Sequence, residues 1–232
     1  MTPAERIFVA LDTTDAAQAA ALAASLAGAV GGVKLGKEFF TANGPNGVDQ
    51  VTASGLPLFL DLKFHDIPNT VAGAIRSSLV LKPMIVNVHA AGGPAMMRAA
   101  ADAAAEAGDD RPWLLAVTVL TSLGPEDLTA IGQDADPEAQ VVRLAKLAQA
   151  SGCDGVVCSP KEITAVRQAC GAGFKLVVPG IRPNWAAKGD QKRVTTPKQA
   201  LDAGADALVI GRPITQSDDP AAAARRISDE MA

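Results

Sequence analysis

The chain has 232 residues, 48% of them hydrophobic and 20% charged, and a formal net charge of -4. That length can bury a core for one α/β domain or for two small ones. There is no basic run and only 3% of residues are aromatic, so the electrostatic footprint and the stacking platforms of a nucleic-acid binder are both missing.

The opening residues, MTPAERIFVALD, place Glu5 and Arg6 directly before an apolar run and contain no signal-peptide core. Residues 16–33 carry no charge, but Ala, Gly, Gln18 and Ser25 dominate them, which suits a helix and the start of the next strand better than a membrane span. A cytoplasmic protein without a membrane partner is expected. Eight short aliphatic or β-branched runs then succeed one another at RIFVALD, GGVKLG, PLFLDLK, MIVNVHA, WLLAVTVLT, GVVCSP, KLVVPGI and ALVIGRP, separated by stretches able to form helices. The first connection, DTTDAAQAAALAASLAGA, offers Thr14 or Asp15 as a cap, Ala and Leu through its body and Gly at its end. Further helices are expected at 68–82, 94–107, 137–151, 161–169, 197–203 and 220–231. Several of them open on proline, in the first turn, where no backbone donor is lost. The βα rhythm repeats without a linker, so residues 1–232 are expected to form one domain, a single (β/α)8 TIM barrel of the α/β class; a doubly wound open sheet is the alternative.

A barrel of this kind collects its reactive groups at the C-terminal ends of the strands. There the sequence places Asp12 after strand one, Lys34 on strand two, Asp61 and Lys63 on strand three, His89 on strand four, Thr121 and Ser122 on strand five, Pro179 and Arg182 on strand seven, and Gly211 and Arg212 on strand eight. Asp61 and Lys63 are two apart, so strand alternation sends both side chains from one face. With Asp66 following, a lysine flanked by carboxylates suggests an internally neutralised network, because unpaired charge is costly on an inner face. Asp12, Thr121 and Ser122 taken singly also suit helix caps.

A Gly beside an Arg, as at Gly211 and Arg212, suits a phosphate: the backbone approaches closely and the guanidinium pairs bidentately. Surface ion pairs are the alternative use of Arg182 and Arg212. The polar stretch 183–194 holds Gly189 as a hinge and Gln191 as an amide donor, and could close as a lid. Cys153, Cys158 and Cys170 lack CxxC spacing and read as buried small hydrophobes. His65 and His89, the two histidines, are not spaced as a metal pair and read as structural residues near strand ends. No metal and no other cofactor is expected.

The residues DLKFHDIPNT, Asp61 to Thr70, follow the form D-x-K-x-x-D-I-x-x-T, and through them the chain resembles the orotidine 5'-phosphate decarboxylase family. FVALD, VKLGKEFF, NVHAAGG, VTVLTS, VVPGIRP and IGRPIT resemble the short bacterial form of that family over nearly the whole chain. The shorter pattern D-x-K-x-x-D is shared with sugar-phosphate decarboxylases and aldolases of the same superfamily, and the continuation IPNT separates them. The resemblance implies a carboxy-lyase of de novo pyrimidine biosynthesis that converts orotidine 5'-monophosphate to uridine 5'-monophosphate without a cofactor. Its chemistry would pass through a carbanion-like species at C6 protonated by Lys63, with Asp61, Asp66 and Lys34 completing the catalytic set. Asp12 and Lys34 would bind ribose hydroxyls, Thr121 and Ser122 would meet the pyrimidine edge, and Pro179 would lie against the base. Arg182, Gln191, Gly211 and Arg212 would bind phosphate. A homodimer is implied as well, in which Asp66 and Thr70 reach into the partner subunit's site.

Two other readings stay open. One is a magnesium-dependent sugar-phosphate lyase of the same barrel superfamily, which would need a Glu at a strand end to join Asp61. The other is a catalytically dead barrel that binds phosphate ligands, although a pure binder gains nothing from carboxylates facing an anion.

Overall fold

A computed structural model of the chain describes residues 1–186 and 195–232. Eight parallel strands run in sequence order around a closed barrel: β1 (Ile7–Ala10), β2 (Gly32–Gly36), β3 (Leu58–Phe64), β4 (Ile85–His89), β5 (Trp113–Val117), β6 (Gly155–Val157), β7 (Lys175–Pro179) and β8 (Ala207–Ile210). β8 pairs back onto β1, with Phe8 opposite Val209. The expected (β/α)8 barrel is present and the open sheet is excluded.

The strands lie where the apolar runs place them but several stop sooner. β5 ends at Val117, so Thr121 and Ser122 belong to the loop beyond it and not to the strand. At the next residue the Val157 carbonyl accepts from both the Thr118 backbone amide, at 3.3 Å, and the Thr118 hydroxyl, at 2.9 Å. β7 likewise ends at Pro179, short of Arg182.

The helices are α1 (Ala16–Leu26), α2 (Lys37–Thr52), α3 (Pro68–Leu79), α4 (Gly93–Ala105), α5 (Pro125–Ala130), α6 (Pro137–Ala150), α7 (Ile163–Cys170), α8 (Pro197–Asp202), α9 (Arg212–Thr215) and α10 (Pro220–Glu230). Asp15 rather than Thr14 caps α1, accepting from the Gln18 amide at 2.9 Å. Three helices, α2, α5 and α9, were not foreseen. In α2 the periodicity is broken because the chain leaves helical geometry at Gly44, with φ of 58°, and resumes at Pro45. α5 and α9 are too short to establish a period.

Alternation along the strands divides the core in two. Ile7, Val9, Leu58, Leu60, Val86 and Val88 face the helices in the larger buried cluster. Phe8, Ala10, Phe59, Ile85, Leu115, Val177, Ala207 and Val209 form a separate cluster that fills the barrel interior. Phe8 and Phe59 meet edge to face there, ring centroids 6.4 Å apart. Gly32 makes room for them, since a Cβ at that position would lie 2.6 Å from the Phe8 ring. The bulky pair thus plugs the lower barrel, and the inward positions one step further along each strand open onto a cavity.

Candidate active site

Those next inward positions carry charge. Ala10 pairs with Lys34, Lys34 with Phe59 and Gly36 with Asp61, so the Lys34 backbone is paired with the aromatic plug while Asp61 stands two residues beyond Phe59 on β3, and the long Lys34 side chain reaches its carboxylate. Asp61 is 7% exposed. Its Oδ1 lies 2.6 Å from Lys63 Nζ, and its Oδ2 lies 3.2 Å from Lys34 Nζ. Asp12, beyond the end of β1 and exposed, stands 3.6 Å from Lys34 Nζ. Burial alone would push the Asp61 carboxyl up. The ammonium groups of Lys34 and Lys63, with hydrogen bonds from Lys63 and Asn87, overcome that and hold it below the usual carboxylate range.

The expected alternation of Asp61 and Lys63 needs correction. The β3–β4 register shifts between Leu60 and Phe64, and Lys63 takes a left-handed backbone, φ 52°, which a residue bearing a Cβ adopts at a cost. The bulge, not a flat pleat, aims Lys63 at the carboxylate. The network is also reversed from the expected one. Within the chain a carboxylate sits between two lysines, whereas Asp66 is exposed beyond the strand and its Oδ1 accepts from the Ile67 amide at 2.7 Å.

A cavity of about 350 Å³ opens above this array, within the range that holds a small molecule. Asp12, Lys34, Asp61, Lys63, Thr121, Pro179, Arg182, Gly211 and Arg212 all line it, as the sequence leads one to expect. Arg182 is buried, its Nη1 donating to the Ile181 carbonyl at 2.9 Å. Ser122 is exposed and off the cavity wall. Asp66 is absent from that wall too, lining a separate depression with His65, Ile67, Pro68, Ala91 and Gly92, and Thr70 is exposed in the first turn of α3. Gln191 lies outside the described residues.

The sequence reading missed Asn87. It is fully buried on β4; its Nδ2 donates to Asp61 Oδ1 at 2.6 Å and its Oδ1 accepts from the Lys63 backbone amide at 2.7 Å. A lone amide in the apolar run MIVNVHA was the available signal, since a buried polar side chain needs partners.

The cysteines are buried, as expected, and the two histidines lie against each other. The His65 and His89 rings stack at 5.4 Å, and burial, then His65, Lys37 and Lys63, pull His89 down to about 4. All three cysteines are buried and free. Burial raises the Cys158 thiol, so although it lines the cavity it stays protonated. Among the described residues no cluster of His, Cys, Asp and Glu could hold a metal ion, and no helix is long and apolar enough to cross a membrane.

Comparison with known proteins agrees with this geometry. The family model described as Orotidine 5'-phosphate decarboxylase / HUMPS family matches residues 5–227. The chain is 56% identical over 229 residues to the orotidine 5'-phosphate decarboxylase of Paramagnetospirillum magneticum, covering 97% of each. It is 56% identical over 220 residues to that of Alcanivorax borkumensis, covering 95% of each. The crystal structure of orotidine 5'-phosphate decarboxylase from Lactobacillus acidophilus superposes with a TM-score of 0.86 at 38% identity, over 97% of this chain and 98% of that one. A decarboxylase, hence a carboxy-lyase, is what the sequence motif implied, and these relatives bear the names of that enzyme. The motif, the barrel and the full-length relatives converge: the chain belongs to the orotidine 5'-phosphate decarboxylase / HUMPS family.

Proposed function

We propose that this chain removes CO2 from C6 of orotidine 5'-monophosphate to give uridine 5'-monophosphate, a step of pyrimidine biosynthesis, without a cofactor. The observation that carries the reading is the Lys34–Asp61–Lys63 array at the closed end of the cavity, with Arg182 and Arg212 also on its wall. The C6–carboxylate bond breaks and its electron pair stays on C6, in the ring plane, where the π-system cannot take it up. Lys63 then gives one ammonium proton to C6 and regains it from solvent. Charge held in place beforehand is the means of lowering the barrier. Two unit charges about 4 Å apart interact by roughly 1 kcal/mol in water but about 4 kcal/mol at an effective dielectric near 20, so a cavity that excludes water strengthens Lys63's hold on the developing carbanion. Asp61 crowds the substrate carboxylate and aligns both lysines. Asp12 and Lys34 take the ribose hydroxyls, Thr121 and Ser122 the pyrimidine edge, and Pro179 packs on the base. The phosphate falls to Arg182, Gln191, Gly211 and Arg212.

Asp66 and Thr70 enter this reading through a homodimer. Both are exposed, on the rim that also presents Ile67 with 66% of its surface uncovered. A two-fold contact there would seal the apolar rim and pass the two polar groups into the partner's cavity. Mixing inactive Lys63→Ala with inactive Asp66→Ala tests it. Random exchange makes half the dimers mixed, each with one intact site of two, so activity recovers to about a quarter of wild type; no recovery despite demonstrated exchange places Asp66 in its own chain's site.

The reaction itself is tested by the ultraviolet absorbance change of orotidine 5'-monophosphate with and without a chelator. Turnover unaffected by chelation is expected. Activity restored only by magnesium would favour a sugar-phosphate lyase instead.

A further inference from the structure

We infer that Asn87 is a positioning residue for the reaction proposed above, a buried clamp that holds Lys63 and Asp61 in their working geometry. The inference rests on that functional reading for its kinetic consequences but not for its structural ones. The bulge in β3 removes the Lys63 backbone amide from the regular ladder opposite β4, where a buried N–H needs another acceptor. Asn87 Oδ1 supplies it at 2.7 Å. The other end of the same side chain, Nδ2, donates at 2.6 Å to Asp61 Oδ1, the atom that also accepts Lys63 Nζ at 2.6 Å. The amide's orientation is not ambiguous, since its oxygen meets a donor and its nitrogen a carboxylate. One side chain therefore ties both the backbone and, through Asp61, the ammonium of Lys63.

The left-handed backbone of Lys63 needs such a tether, because that conformation persists only where its surroundings over-determine it. Asn87 is fully buried and absent from the cavity lining, so it would touch no substrate. Its inward direction follows from strand parity with Ile85 in the barrel's interior cluster. The charged groups gathered around it are Asp61 and Lys63 from β3, Lys34 from β2 with Asp12 beyond β1, and His89 on its own strand; opposite it on β5 stands Leu115.

Two variants test the clamp. Asn87→Leu conserves bulk but supplies neither bond: kcat should fall about 100-fold, by loss of alignment and preorganised charge, while KM stays within about threefold because the phosphate and ribose contacts remain. Asn87→Asp sets a second carboxyl against Asp61. While that pair holds a proton, the neutral acid reproduces both the donor and the acceptor; once it is lost, two carboxylates repel. The ratio of variant to wild-type kcat should thus approach one at low pH and fall as pH rises, a profile that a merely structural role would not produce. A flat ratio, or kcat of Asn87→Leu within threefold of wild type, overturns the inference.

If Asn87→Leu fails to fold, the pH profile of Asn87→Asp decides alone. Should the wild type not act on orotidine 5'-monophosphate, the functional reading fails by itself, and substrate-free crystal structures decide the clamp. Lys63 out of the left-handed region and its Nζ beyond reach of Asp61 in either variant upholds it; unchanged Lys63 geometry in both refutes it.

Discussion

The two ends of the barrel use the same ions in different ways. At the N-terminal floor, Asp154 and Asp206 stand just before β6 and β8. Asp154 Oδ2 accepts from the Leu114 backbone amide at 2.7 Å and from Arg111 Nη1 at 2.9 Å. Asp206 Oδ2 does the same with the Leu176 amide at 2.8 Å and Arg167 Nη2 at 2.7 Å. Each acid there binds the backbone of a neighbouring strand and an arginine, which locks register, and Asp206 Oδ1 also lies 3.9 Å from Lys175 Nζ. At the C-terminal mouth, Asp61 binds side chains only, Lys34, Lys63 and Asn87, and its lysines face a cavity. Charge tied to the backbone holds the barrel together; charge tied to other charge and left facing a cavity is available for chemistry. This follows the general division in such barrels between a stabilising floor and a reactive mouth.

The comparison breaks first at Lys63. Lys63→Ala should lower kcat by at least about 10⁴-fold, since it removes both a proton donor and a preorganised charge, while the thermal midpoint changes little. Steady-state kinetics beside a melting curve check this, and activity within tenfold of wild type would remove Lys63 from its role. Arg212→Ala should come next, cutting kcat/KM about 10- to 150-fold, the equivalent of a charge-assisted contact of roughly 1.5–3 kcal/mol. The same kinetics with the nucleoside orotidine sharpen the result: the substitution should matter far less for a substrate that lacks the phosphate.

The floor should answer in the opposite currency. Asp206→Ala should leave kcat unchanged and lower the melting temperature by about 3–12 °C, taking roughly 1.5–3 kcal/mol for the lost charged hydrogen bonds and about 2–4 °C per kcal/mol for a chain of this size. A loss of activity in the folded variant would mean that floor and mouth are not separable.

The smallest expected effect is one of pH. His89, on the mouth side, is held near 4 against an ordinary 6.5. Its folded value lies below its unfolded one, so below about 6.5 the unfolded chain binds a proton that the fold refuses. Stability is complete above that pH and declines as pH falls toward about 4. Replacing it, His89→Asn, should flatten that part of a plot of melting temperature against pH; an unchanged slope would show that burial and the neighbouring positive charges do not hold its proton off in the fold.

By itself the sequence determined the barrel, the order of its strands and most of its helices, because hydrophobic period and turn chemistry are local and repeat eight times. It also located many of the residues at the cavity, since the C-terminal end of a strand can be located from the strand, although Ser122 lies off the wall and Asp66 lines a separate depression. Alternation along one strand could not reveal that β3 bulges, that Lys63 turns left-handed to meet Asp61, or that Asp61 rather than Lys63 is the flanked ion. Nor could it give Asn87 its partners: a lone amide in an apolar run shows that partners are needed, but the two hydrogen bonds reach across to β3, 24 and 26 residues away in the chain. Those features depend on the register between strands, and register is settled only when the barrel closes and every inward side chain must find its neighbour.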